Sequence, residues 1–191
     1  MLHILKILFL LVIFGIFSAC TSMKTSSDAK KDKSIKIAEI NIQLGMGYLE
    51  KGNIERAKQK LLTALKKAPK LPEAWYSMAY FLEHTGEKEA AKRYYLKAVA
   101  LAPERGDTQN NYGTYLCRSG HYQESIQHFI LATKDPDYLD TVGAYENAGL
   151  CALKIPDTNL AIKYFKQALT QDPGRTTSLM ELKKLEKPRG T

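Results

Sequence analysis

The chain predicts an all-α fold: a solenoid of about four helix-turn-helix pairs, closed by a carboxy-terminal capping helix. Three observations predict it. Small residues return at a spacing of about 34 residues, at Gly45, Ala79, Gly113 and Gly149. Large residues return in step with them, at Leu61, Tyr95, Phe129 and Phe165. Prolines then close the units at Pro69, Pro103 and Pro173, where a residue without a backbone N–H cannot continue a helix.

The unit over residues 72–105 carries the pattern most clearly. Trp75, Leu82 and Tyr95 fill the space around alanines 79, 91 and 98, whose small side chains let two antiparallel helices approach. The turn between them falls near Thr85-Gly86. One such pair cannot bury both of its apolar faces, so neighbours are required. They are found at residues 38–71, 106–141 and 142–175. The third unit is two residues longer, with Asp135-Pro136-Asp137 in its closing loop. This arrangement resembles the tetratricopeptide repeat (TPR), with the four repeats within residues 35–175. Residues 176–191 follow as a capping helix and tail, with Leu179, Leu182 and Leu185 at helical spacing and Pro188 as the stop.

Residues 1–19 read as a signal peptide: Lys6 precedes an apolar run, Ile7 to Phe17, that is too short to span a bilayer. Ser18-Ala19-Cys20 resembles a bacterial lipobox. That resemblance implies cleavage before Cys20 and a lipid anchor on it. Thr21, rather than aspartate, follows Cys20, which by the same resemblance implies the outer membrane, on its periplasmic face. Residues 20–34 are rich in Ser, Thr, Lys and Asp and read as a flexible tether.

The formal charge of +8 admits an anionic partner, but no nucleic-acid motif accompanies it and the lysines fall mostly in the tether, on outer helix faces and in the tail. No phosphate-cradling glycine loop, nucleophile elbow or metal-spaced His/Cys set is present in the sequence. The expectation is a protein that is not an enzyme, without metal, cofactor or small-molecule substrate. Cys117 and Cys151 lie on first helices of successive repeats. They are either joined in a disulfide, which an oxidising periplasm permits, or are two buried thiols acting as small hydrophobes.

Repeat arrays of this kind bind partners on the concave face, along the first helices. Ile42, Met46, Leu49, Tyr76 and Tyr80 are expected to form an apolar, aromatic groove there, with Asn111 and Asn147 available to hold a peptide backbone.

The lipobox, the lysine-rich tether and two stretches, Asn110-Asn111-Tyr112-Gly113-Thr114-Tyr115-Leu116-Cys117 and Glu146-Asn147-Ala148-Gly149-Leu150-Cys151-Ala152, resemble the PilF/PilW family of type IV pilus biogenesis lipoproteins. The resemblance implies a pilotin: a protein partner, the pilus secretin, is bound and its outer-membrane localisation and multimer assembly are promoted. Family members carry about six repeats, so contacts made by further repeats are not expected of these four. A general periplasmic TPR lipoprotein scaffold for cell-wall or other envelope enzymes is the alternative.

Overall fold

Turn chemistry sets the boundaries of the first three helix pairs. Gly52, Gly86 and Gly120 take φ values of 71°, 88° and 84°, the left-handed backbone that glycine enters without a Cβ penalty. The computed structural model describes residues 26–187, and nine helices lie among the described residues. They are α1 (Ser26–Glu50), α2 (Ile54–Lys67), α3 (Pro72–His84), α4 (Lys88–Leu101), α5 (Gly106–Arg118), α6 (Tyr122–Ala132), α7 (Thr141–Ala152), α8 (Thr158–Gln171) and α9 (Thr176–Glu186). None of these is long and apolar enough to cross a membrane. The pairs α1/α2, α3/α4, α5/α6 and α7/α8 are the four expected repeats, and α9 is the expected cap.

The small position of each repeat is a helix crossing. A Cβ at Gly45 would lie 2.8 Å from Cγ of Leu61, and one at Gly149 would lie 2.7 Å from Cε1 of Phe165. At Gly113 the same atom would meet the Phe129 ring at 3.0 Å. The recurring large residue therefore packs flat on the recurring small one, and neither can change alone. From these crossings two main apolar clusters grow. One gathers Leu49, Leu61, Met78, Phe81, Tyr95 and Leu116; the other gathers Ile126, Phe129, Ala148, Cys151 and Phe165, with Leu182 and Leu185 of α9 laid against it. A smaller cluster, Ala38, Ala64, Ala68 and Ala74, joins α1, α2 and α3.

The third pair is irregular where the sequence places its extra residues. Helix α6 has 11 residues, against 14 in α2, α4 and α8, and the connection over residues 133–140 is correspondingly long. Tyr138 folds back onto α5, where a Cβ on Gly106 would meet its ring at 2.4 Å.

The amino-terminal reading changes in one respect. The chain divides into two units, residues 1–33 and 34–191. Residues 26–34, expected within a flexible tether, are the first turns of α1. Ala29, Lys30, Lys31 and Lys33 are good helix formers with nothing among them to break a helix. Apolar periodicity is missing there because residues 27–33 are exposed all round. The signal peptide, Cys20 and residues 21–25 lie outside the described residues.

Candidate functional site

The first helices α3, α5, α7 and α9 pack side by side in series, and a ladder of polar pairs crosses between them. Arg105, just ahead of α5, donates from Nη2 to Oε1 of Glu73 on α3 and to Oδ2 of Asp107 at 2.6 Å. Tyr76 donates its hydroxyl to the same Asp107 oxygen at 3.3 Å. The other oxygen of Glu73, Oε2, is buried and accepts from no donor among the described residues. Burial, together with Asp107 and Glu73 nearby, raises the Tyr76 hydroxyl well above its ordinary pKa, so it acts as a donor and not as a charge.

At the other end of α3 a second arginine repeats the device. Arg118 forks onto Glu83 with Nε to Oε1 and Nη2 to Oε2, both at 2.7 Å, the bidentate geometry that makes arginine–carboxylate pairs directional. Its guanidinium also lies 5.7 Å from the centre of the Tyr80 ring. Burial opposes the charge on Arg118, but the fork to Glu83 outweighs it and its pKa rises. Tyr95 donates to Glu83 from below at 3.3 Å.

The predicted groove residues separate on this scaffold. Tyr80 is 39% exposed and stands over Arg118 beside His84. Tyr76, Met46 and Ile42 are half-buried, with Met46 and Tyr76 packed on the α1–α5 core and Ile42 on the smaller alanine cluster. Leu49 is 4% exposed and belongs to the core. Expected on the face, it is the last residue but one of α1 and packs in the same cluster as Leu61 and Leu82. Asn111 turns back on its own helix, donating Nδ2 to the Asp107 carbonyl at 2.8 Å. Asn147 donates Nδ2 to Oδ1 of Asn110 at 3.1 Å, a bridge from α7 to α5. The cysteines are brought together: Cys117 and Cys151 have Cα atoms 5.9 Å apart with their sulfurs facing, within the span a disulfide needs.

Sequence reading missed a buried polar contact. Glu146 is 7% exposed and accepts from the Ser178 amide and hydroxyl at 3.1 and 2.9 Å and from Nε of Arg175 at 3.1 Å. It thereby satisfies one of the amino-terminal N–H groups of α9, that of Ser178, in a helix with no side-chain cap of its own. A carboxylate at this place in α7 and an arginine just ahead of α9 were the available signal. Among the described residues, no group of three or more His, Cys, Asp or Glu side chains is placed to hold a metal.

The tetratricopeptide-repeat family pattern matches residues 42–106 and 112–176. The type IV pilus assembly protein PilF of Pseudomonas aeruginosa is 31% identical over 166 residues, which are 86% of this chain and 66% of PilF. This chain therefore spans just under two thirds of that relative. A solved structure of PilF superposes with a TM-score of 0.73 at 30% identity, covering 81% of this chain and 68% of that one. The crystal structure of PilW, a type IV pilus biogenesis factor, gives 0.71 at 29% identity over 78% of this chain and 69% of PilW. An uncharacterised Haemophilus influenzae protein is 34% identical over 72% of this chain and 74% of its own length. This chain belongs to the tetratricopeptide-repeat family and, within it, to the proteins of the PilF/PilW type.

Proposed function

We propose that the chain is a lipid-anchored scaffold of type IV pilus biogenesis that binds the pilus secretin and promotes its outer-membrane localisation and multimer assembly. The observation that carries this reading is the similarity to PilF across 86% of the chain. Ser18-Ala19-Cys20 supports the anchor, with lipid on Cys20 and the repeats on the periplasmic face. In that oxidising compartment Cys117 and Cys151 form a disulfide, in keeping with their 5.9 Å Cα separation. The role is binding and not catalysis: it needs no metal or cofactor, and the secretin is a protein partner.

The face of the first helices supplies the binding. Tyr80, Tyr76, Met46 and Ile42 offer an apolar strip of half-exposed side chains, and the Glu73–Arg105–Asp107 and Glu83–Arg118 pairs border it. An amphipathic or extended segment of the secretin lies along this strip, its apolar residues against the tyrosines.

The test compares outer membranes from cells with and without the gene, on gels run without boiling and probed for the heat-resistant secretin multimer. Loss of the multimer, or its appearance in the inner membrane while monomer persists, is expected. An unchanged multimer in the outer membrane would overturn this reading in favour of a general envelope scaffold.

A further inference from the structure

The long connection over residues 133–140 exposes what the short ones do not. Leu139 is 98% exposed, while Met180, next among the exposed large hydrophobic residues, is at 52%. Leaving a leucine in water forgoes the gain of burying it, yet this one is held out by an ordered frame. Asp135 accepts from the Gly106 amide at 2.6 Å and from the Asp137 amide at 2.9 Å. Tyr138 is seated against Gly106, and Asp140 caps α7 by accepting from the Gly143 amide at 2.9 Å. Leu139 thus sits between two anchored neighbours.

Beside it opens a cleft of ≈ 590 Å³ with Tyr138 and Leu139 in its wall, within the range of roughly 300–1,000 Å³ that ligand sites span. Glu104, Asp107 and Asp137 line the same cleft, and Asp135 and Asp140 complete its rim. Its one cation, Arg105, is engaged by Glu73 and Asp107. Glu104 and Asp137 make no side-chain hydrogen bond or ion pair among the described residues. Lys134 lies at the start of the connection but does not line the cleft. A chain of formal charge +8 therefore carries a negative edge around its most exposed leucine.

We propose that this edge is a second docking surface, separate from the first-helix face, and that it takes a partner-protein segment in which an apolar side chain is flanked by lysines or arginines. The apolar side chain packs against Leu139 and the Tyr138 ring, and the flanking cations meet Glu104 and Asp137. The charge selects this class of segment: an acidic one would bring like charges together, and a neutral one would desolvate the carboxylates without pairing them.

The test uses the full chain in neutral detergent and a short fluorescent peptide alternating lysine and leucine, followed by anisotropy. Binding that weakens as salt is raised is expected. Leu139→Ser should weaken it on the order of tenfold, as loss of one buried leucine contact implies. Glu104→Gln with Asp137→Asn should flatten the salt dependence, and Tyr80→Glu should change neither. Four results would each overturn the proposal: wild-type affinity in Leu139→Ser, equal binding of a glutamate–leucine peptide, loss of binding in Tyr80→Glu alone, or self-association of the chain that Leu139→Ser abolishes. The last would assign the edge to a second copy. Failure here leaves the first-helix face untouched, since Tyr80 reports on that face separately.

Discussion

At the scale of single residues, exposure decides which side chains can meet a partner. Tyr80 stands 39% exposed over Arg118, so Tyr80→Glu places a carboxylate where water still reaches it and the array keeps its fold. If the proposed secretin partner lies on this face, its binding should fall by about tenfold or more, the scale of one aromatic contact at an interface centre, with an unchanged thermal midpoint. Wild-type binding in the folded variant would remove Tyr80 from the site. His128 gives a second prediction at this scale. Its Nδ1 donates to Oε1 of Gln109 and its ring meets Tyr112 edge-on, with centroids 4.7 Å apart. Burial holds its pKa below the usual histidine value, with Glu124 pulling the other way. The unfolded chain therefore binds this proton more readily than the folded one. Stability is fully present above the unfolded value of about 6.5 and is lost as pH falls from there towards the folded one. Urea midpoints should drop between about pH 7 and about pH 5 in the wild type and drop less in His128→Gln; parallel profiles would exclude His128 as the titrating group.

At the scale of elements, two junctions hold the second half of the array. Helix α9 docks through one buried carboxylate, because Glu146 accepts from both Arg175 and Ser178. Glu146→Ala leaves those donors without their acceptor and should cost roughly 1.5–3 kcal/mol, the range for hydrogen bonds to a charged group. Amide exchange should quicken over α9 before it does over α5 and α6; unchanged protection of α9 would mean that Leu182 and Leu185 hold the cap alone. Helices α5 and α7 bring Cys117 and Cys151 together at the second junction, where the disulfide is proposed. A reductant should lower the stability of the wild type by about 2–4 kcal/mol, as loss of a native disulfide does. It should leave the Cys117→Ser, Cys151→Ser double variant unmoved. A wild-type midpoint indifferent to reductant would identify two free thiols.

At the scale of the whole array, stability divides along the two main apolar clusters. One links α1 to α5 and the other links α5 through α9, so a defect is felt first among nearest neighbours. Phe165→Ala empties the space above Gly149 and should cost about 3–5 kcal/mol. Hydrogen exchange should then rise over α7, α8 and α9 while α2 to α4 stay protected. A uniform rise would mean that the repeats unfold as one unit.

The sequence by itself determined the repeat architecture, because each repeat writes the same packing constraint into nearby residues. Gly45, Gly113 and Gly149 are small because Leu61, Phe129 and Phe165 lie across them within the same pair. Such constraints are local and recur, so spacing alone reveals them, along with the cap and the irregular third unit. What faces water was decided only by the tertiary structure. Asn147 is engaged by Asn110, and Glu146 by Arg175 and Ser178, residues 29 to 37 positions away on neighbouring helices. Leu49 has the spacing of a groove residue, but the packing of α1 places it in the core. Cys117 and Cys151 stand 34 positions apart in the chain, and only the packing of α5 on α7 sets their Cα atoms 5.9 Å apart. Leu139 carries no periodic signal at all; its exposure follows from Tyr138 and Asp140 being anchored on either side. Periodicity records which residues pack within a repeat, and only the packed array shows which are left over for a partner.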